Sequence, residues 1–312
     1  MMANEGRHQA LGVPAILREA LKIPRRDGKL MVSLSLLLLA PYSLLLCLHD
    51  VAVGPLMDDD SDGGGEDLAG RGGLGRLLFL ESSFLLAFCT ISLSAMALTM
   101  YASSVTYTGN IDRLGLKDTI RRSLSSWKRP VKTCCCVAAT TVAYVCLVLI
   151  SVWVLSLVTT GGTALVASIV FLGSSAALLY AFLAVVWMLG FAVSVIEEDD
   201  CCGVDALARA AELVRGRELV GFLLMVLMLL LGAPVSLLLY LNAREDDQGV
   251  VVRVVVGIVG AALACLVKVF AFMAFTVFYH ECRDYHGEKP EGREMYRLLS
   301  NTELKLEFFG RN

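Results

Sequence analysis

Charge is scarce in this chain. Asp, Glu, Lys and Arg together make up 18% of its 312 residues, where soluble domains carry about a quarter. Histidine is scarcer still, with four in all. No HExxH pair exists, so helix-borne zinc chemistry of the metalloprotease kind is excluded. No Asn-x-Ser/Thr acceptor occurs either. No nucleotide-binding glycine pattern, nucleophile elbow or pair of catalytic carboxylates stands out. The residues therefore point to no enzyme, no cofactor and no metal site.

What is abundant is apolar surface. Hydrophobic residues make up 56% of the chain, and mean hydropathy is +0.68. A helix needs roughly 20 apolar residues to cross the hydrocarbon layer. Six stretches qualify, at about 30–48, 83–107, 133–157, 168–196, 219–241 and 254–280. They are apolar on all sides, unlike the short alternating segments of a barrel. Backbone groups in lipid must be satisfied within the span. The expected fold is thus all-α: a polytopic bundle of six transmembrane helices with amphipathic cytosolic surface helices. Residues 1–29 form a cytosolic arm, 30–280 the membrane domain and 281–312 a cytosolic tail.

The distribution of basic residues sets the expected orientation. Of the 27 Lys and Arg, 22 lie in the N-terminal arm, the 108–132 and 197–218 linkers and the C-terminal tail. The opposite loops hold Arg71, Arg76, Arg244 and Arg253. Both termini are therefore expected in the cytosol, in an endomembrane or the plasma membrane. The ten cysteines avoid those three opposite loops, which argues against an exposed disulfide framework. The first apolar run follows a 29-residue arm and reads as a retained anchor rather than a cleaved signal.

The linker CCGVDALARAAELVRGRELVGF, residues 201–222, places Val204, Leu207, Ala211 and Val214 at helical spacing. Asp205 can pair with Arg209, and Glu212 with Arg215, on the other face. Such a helix suits a membrane surface, with Arg209, Arg215 and Arg217 toward anionic headgroups. Stretches starting at Gly12 and Gly115 share its pattern. In each, an Arg follows six residues after the Gly (Arg18, Arg121, Arg209), a small residue two later (Ala20, Ser123, Ala211) and an Arg at offset fourteen (Arg26, Arg129, Arg217). Each precedes an odd-numbered span, so three units of surface helix plus two spans are one reading. Any basic amphipathic linker shows part of the same pattern, which is the other.

Those residues also carry a likeness. IEEDDCCGVDALARAAELVRGRELVGFLLM, GVPAILREALKI with LMVSLSLLLLAPYSLLL, and the late TVFYHEC together resemble a poorly characterised plant family of six-span transmembrane proteins. A weaker likeness exists to the membrane domain of bacterial glycerophosphodiester phosphodiesterases. There a Ser commonly follows the Arg, where this chain has Ala210. Neither resemblance supplies catalytic residues, and the catalytic domain of the bacterial enzymes is absent from this sequence.

Lys268 lies near the middle of the sixth span. A central charge costs a few kcal/mol on insertion scales, so it is expected to face the bundle interior or water. A substrate or ion pathway would use Lys268 with Cys265 and Ser94; a lysine paired inside the bundle or snorkelling is the structural reading. Gly257, Ala261 and Cys265 offer a small-residue face for a neighbouring helix. The second span is rich in Ser and Thr, which serve more often as interhelical glue or bond back to their own helix. Pro41 and Pro234 mark kinks.

MDDDSDGGGEDL, from Met57, matches only half of a calcium loop. Its twelfth position would be Ala69 where a bidentate Glu is needed, so it reads as a solvated acidic loop. HECRDYH, from His280, reads as a polar membrane edge. Cys134, Cys135 and Cys136, at the cytosolic end of the third span, suit reversible acylation and suit small-residue packing equally. The expected function is a non-enzymatic organiser or adaptor in membrane or lipid handling. The alternative is a transporter or channel with Lys268 in the pathway. The expected partners are the lipid bilayer, its anionic headgroups at the cytosolic face, and proteins bound through the cytosolic linkers, with no nucleic acid.

Overall fold

The structure, a computed structural model, describes residues 12–26, 71–108, 127–158, 162–197, 201–244 and 250–287, with Gly28, Arg121 and scattered positions between 32 and 48. Among the described residues all regular structure is helical: α1 Val13–Arg26, α2 Arg71–Thr108, α3 Lys128–Val158, α4 Gly162–Ile196, α5 Val204–Val214, α6 Glu218–Arg244 and α7 Val250–Tyr285. Five stretches are long and apolar enough to cross a membrane: Leu78–Thr108, Lys128–Val158, Leu165–Ile196, Glu218–Asn242 and Val255–Tyr285. They coincide with the second to sixth expected spans. The chain is an integral membrane protein built from helices. Of the first expected span, 30–48, only scattered positions are described, and each of these is helical; the rest lies outside the described residues. So do the acidic loop from Met57 and the stretch from Gly115, apart from Arg121 and residues from 127 on.

The helices overrun the boundaries expected of them. A 31-residue stretch such as Leu78–Thr108 measures about 46 Å at 1.5 Å per residue, against a hydrocarbon core of about 30 Å. Hydropathy ends where lipid ends, whereas backbone hydrogen bonding carries the helix on through the headgroup layer.

Side-chain contacts fix the directions. The Tyr144 hydroxyl donates to the Ala176 carbonyl, and Arg129 donates to the Glu197 carbonyl, so α3 and α4 run antiparallel. Gly221 lies against Phe278 and Gly260 against Leu239, so α6 and α7 do too. Phe88 meets Lys268, and Tyr107 meets Glu281, so α2 and α7 run parallel. One end of the bundle therefore collects the last turns of α2, α4 and α7 and the first turns of α3 and α6.

The short helices α1 and α5 cap that end. Ile16, Ala20 and Ile23 of α1 are buried, as are Ala206, Ala210, Leu213 and Val214 of α5. This corrects the apolar face read from the sequence. Val204 is 69% exposed and Ala211 is exposed, so neither belongs to the buried strip. Leu207, from the same group, presses into the notch at Gly190, its Cδ2 2.8 Å from where a Cβ would sit. Alanine fills the strip because α5 meets another helix closely, and larger side chains would hold it off. On its outer face Arg209 pairs with Glu212, 3.6 Å apart. Gly203 (φ 68°) and Gly216 (φ 87°) bracket the helix in the left-handed region, where a Cβ is strained.

The buried strips also bear on the repeat. In α1 the buried positions are 4, 8 and 11 residues beyond Gly12, whereas in α5 they are 3, 7, 10 and 11 beyond Gly203. The two helices share an i, i+4, i+7 strip, but one residue out of register with the shared Gly and Arg. The arginine pattern is thus not a register of packing.

Candidate functional site: a buried polar cluster at the capped end

The apolar core lies at the capped end, where Met100, Leu189, Val193, Phe275 and Phe278 pack with Ile16 and Leu213. Ionisable groups are set into it. Arg217, the residue just before α6, is 4% exposed. Its Nη1 lies 3.7 Å from Glu281 Oε2, and its guanidinium sits 5.8 Å from the centroid of the Phe278 ring. Glu281 also accepts from the Tyr107 hydroxyl at 3.4 Å. Helices α2, α6 and α7 are tied together at these two carboxylate oxygens.

One residue back, His280 is 5% exposed. Its Nε2 lies 3.0 Å from Ser104 Oγ, and its ring stacks on Tyr107 at 5.2 Å. Tyr279 donates to Glu197 Oε1 at 2.8 Å, and Arg129 donates to the carbonyl of the same residue at 3.2 Å. Buried polar groups hold when hydrogen-bonded and cost free energy otherwise. This constellation brings together the ends of α2, α4 and α7 and the starts of α3 and α6. Ser104 and His280 have the contact distance of a nucleophile and its base, and both are buried.

The residues singled out from the sequence are placed as follows. Arg217 is inside, ion-paired, and not on the headgroup-facing surface expected of it. Arg209 is half-exposed and Arg215 exposed. The flanks of the cluster could have been anticipated. Arg217 precedes the fifth expected span and Glu281 follows the sixth, so both fall at the same level of neighbouring antiparallel helices. His280 falls one residue before, in a motif read only as a polar edge.

Lys268 reaches across from α7 to α2. Its side chain is exposed among the described residues, with Nζ 5.2 Å from the Phe88 ring centroid. Cys265, one turn back, is half-buried. Ser94 is exposed, and its hydroxyl donates to the Thr90 carbonyl of its own helix. Helical geometry puts it on the side of α2 away from Phe88. The pathway trio is therefore not assembled at one place. In the small-residue stripe, Ala261 is buried, but the closest approach to α6 is at Gly260, whose Cβ position lies 2.5 Å from Leu239 Cδ2.

The three consecutive cysteines face three ways. Cys134 packs against the core and Cys135 is exposed. Cys136 has its Sγ 3.4 Å from the Gly203 Cβ position. Beside them Thr133 is buried and accepts the Gly203 amide at 3.0 Å, which fixes the turn into α5. Cys201, in that turn, has its thiol pushed up from the usual range by burial and by the carboxylates of Glu197 and Asp205. Among the described residues, no group of His, Cys, Asp and Glu could hold a metal ion. A hollow of about 500 Å³ lies elsewhere, between α3 and α4, and is lined by Ser151, Leu155, Ala167, Ser168, Phe171 and Leu172.

A domain of unknown function, DUF8558, matches residues 74–301, and the chain belongs to that family. No curated protein and no solved structure matches it.

Proposed function

We propose that the protein is a non-enzymatic membrane organiser or adaptor whose capped end forms a rigid cationic platform at the cytosolic face. One observation carries this reading. Helices α1 and α5 spend their apolar strips on the bundle, and this leaves Arg18, Arg25 and Arg215 exposed at the same end as exposed Lys128 and Lys132. A helix lying in the lipid interface would instead turn its apolar face to acyl chains. Here the basic side chains stand on a fixed support, available to anionic headgroups and to acidic segments of protein partners. The excess of basic residues in these segments supports the cytosolic assignment.

The test is crosslinking and pulldown of the full-length protein from its native membrane. Neutralising Arg18, Arg25, Arg209 and Arg215 together is expected to release partners, and to weaken recruitment of the capped end to vesicles containing phosphatidylserine. An unchanged set of partners and unchanged vesicle binding would count against the platform. A transport reading draws on Lys268, a mid-span cation against Phe88. It requires saturable flux in proteoliposomes that Lys268→Leu abolishes.

A further inference from the structure

Two hydroxyls inside the bundle stand out. Thr99 (1% exposed) and Ser103 (0%) are buried, and neither Oγ1 of Thr99 nor Oγ of Ser103 meets a hydrogen-bond partner among the described residues. Other hydroxyls of this helix show the contrast. Ser82, Ser83, Thr90, Ser94, Thr106 and Thr108 all donate to carbonyls of their own helix. Thr99 and Ser103 have the same option three or four residues back and do not take it.

Their positions are related. Residues four apart stack on one face of a helix, so Thr99, Ser103 and Tyr107 form one strip. At about 100° per residue, Thr99 and Ser103 fall within the arc bounded by Phe88 and Ser104. Both of those touch α7, at Lys268 and His280. The strip therefore continues the Tyr107–His280–Glu281 cluster inward for two turns, about 12 Å along the axis. Burying hydroxyls without partners is unfavourable, and native proteins meet such groups with ordered water where the site is polar.

We propose that the α2–α7 seam at Thr99 and Ser103 is a water-binding site: internal water bridges the two hydroxyls and extends the polar cluster into the membrane interior toward Lys268. This stands apart from the cationic platform, since none of its residues lies on that surface.

The isosteric replacement Thr99→Val and the truncation Ser103→Ala separate the outcomes, each measured as a melting temperature in nanodiscs. If water is held, each variant strands it and lowers Tm, by about 2–4 °C. If the seam is dry, each removes a stranded hydroxyl, and Tm is unchanged or rises, which overturns the proposal. Should the variants fail to assemble, wild-type protein exposed to X-ray radiolysis in oxygen-18 water gives a second reading. Met96 and Met100 border the seam and are buried. Their labelling at a rate matching exposed methionines is expected beside bound water, and label confined to exposed residues would reject the site.

Discussion

Arg217 shows how far a residue's type can mislead about its place. As the last basic residue before an apolar run, it reads as a headgroup contact. In the fold it is shut in with Glu281, which also accepts from Tyr107, and lies over Phe278. Breaking a buried pair from one side leaves an uncompensated charge and costs about 3–5 kcal/mol, whereas exposed pairs are worth about 0–1 kcal/mol. Arg217→Met is therefore expected to destabilise strongly in thermal unfolding from nanodiscs, and Arg209→Met, whose Glu212 partner is exposed, to change little. Arg217→Met combined with Glu281→Leu should recover much of the loss; a double variant as weak as the sum of the singles would refute the pairing. The charges themselves were legible in the sequence, but their mutual distance depends on α6 and α7 lying side by side.

At the scale of elements, close helix approach rests on small residues. Gly221 of α6 faces Val185 Cγ1 at 2.8 Å and the Phe278 ring at 3.0 Å from its Cβ position. A stiff β-branched side chain and a ring cannot simply rotate away. Gly221→Ala is expected to cost about 1–3 kcal/mol through overpacking. Gly232→Ala, with Val267 at 3.9 Å, should stay within about 0.5 kcal/mol. Equal melting temperatures for the two would show that α4, α6 and α7 do not meet at Gly221. Helix existence was readable from length and hydropathy, and five expected spans reappear. The packing faces were not readable: every side of these helices is apolar, so periodicity carries no direction. For α5, which is amphipathic, periodicity did point to a face, but several apolar residues competed for it, and the notch at Gly190 selected Leu207 together with the alanine strip.

For the whole molecule, the parallel course of α2 and α7 and the antiparallel courses of α3 with α4 and α6 with α7 put the docked α1 and the last turn of α7 at one end. The cytosolic assignment of that end is open to direct measurement. With the native cysteines replaced, a thiol introduced by Asp60→Cys is expected to react with an impermeant maleimide only from the non-cytosolic face, and one introduced by Arg25→Cys only from the cytosolic face. Both thiols reacting from the same face would remove the six-span topology. The platform proposed above shares this dependence, because anionic headgroups concentrate in the cytosolic leaflet.

Composition and run length alone determined that this protein folds in lipid and as helices, because an unpaired backbone in hydrocarbon costs several kcal/mol per group and a long apolar run leaves helix as the answer. They also determined the alternation of basic and less basic flanks. Only tertiary structure decided which polar residues meet. Tyr107, Glu197, Arg217 and His280 are far apart in the chain, and their meeting depends on which helices neighbour one another and at what height. That choice is made by van der Waals fit at residues such as Gly190 and Gly221, since lipid tails are as apolar as the side chains they touch and give helix faces no other preference.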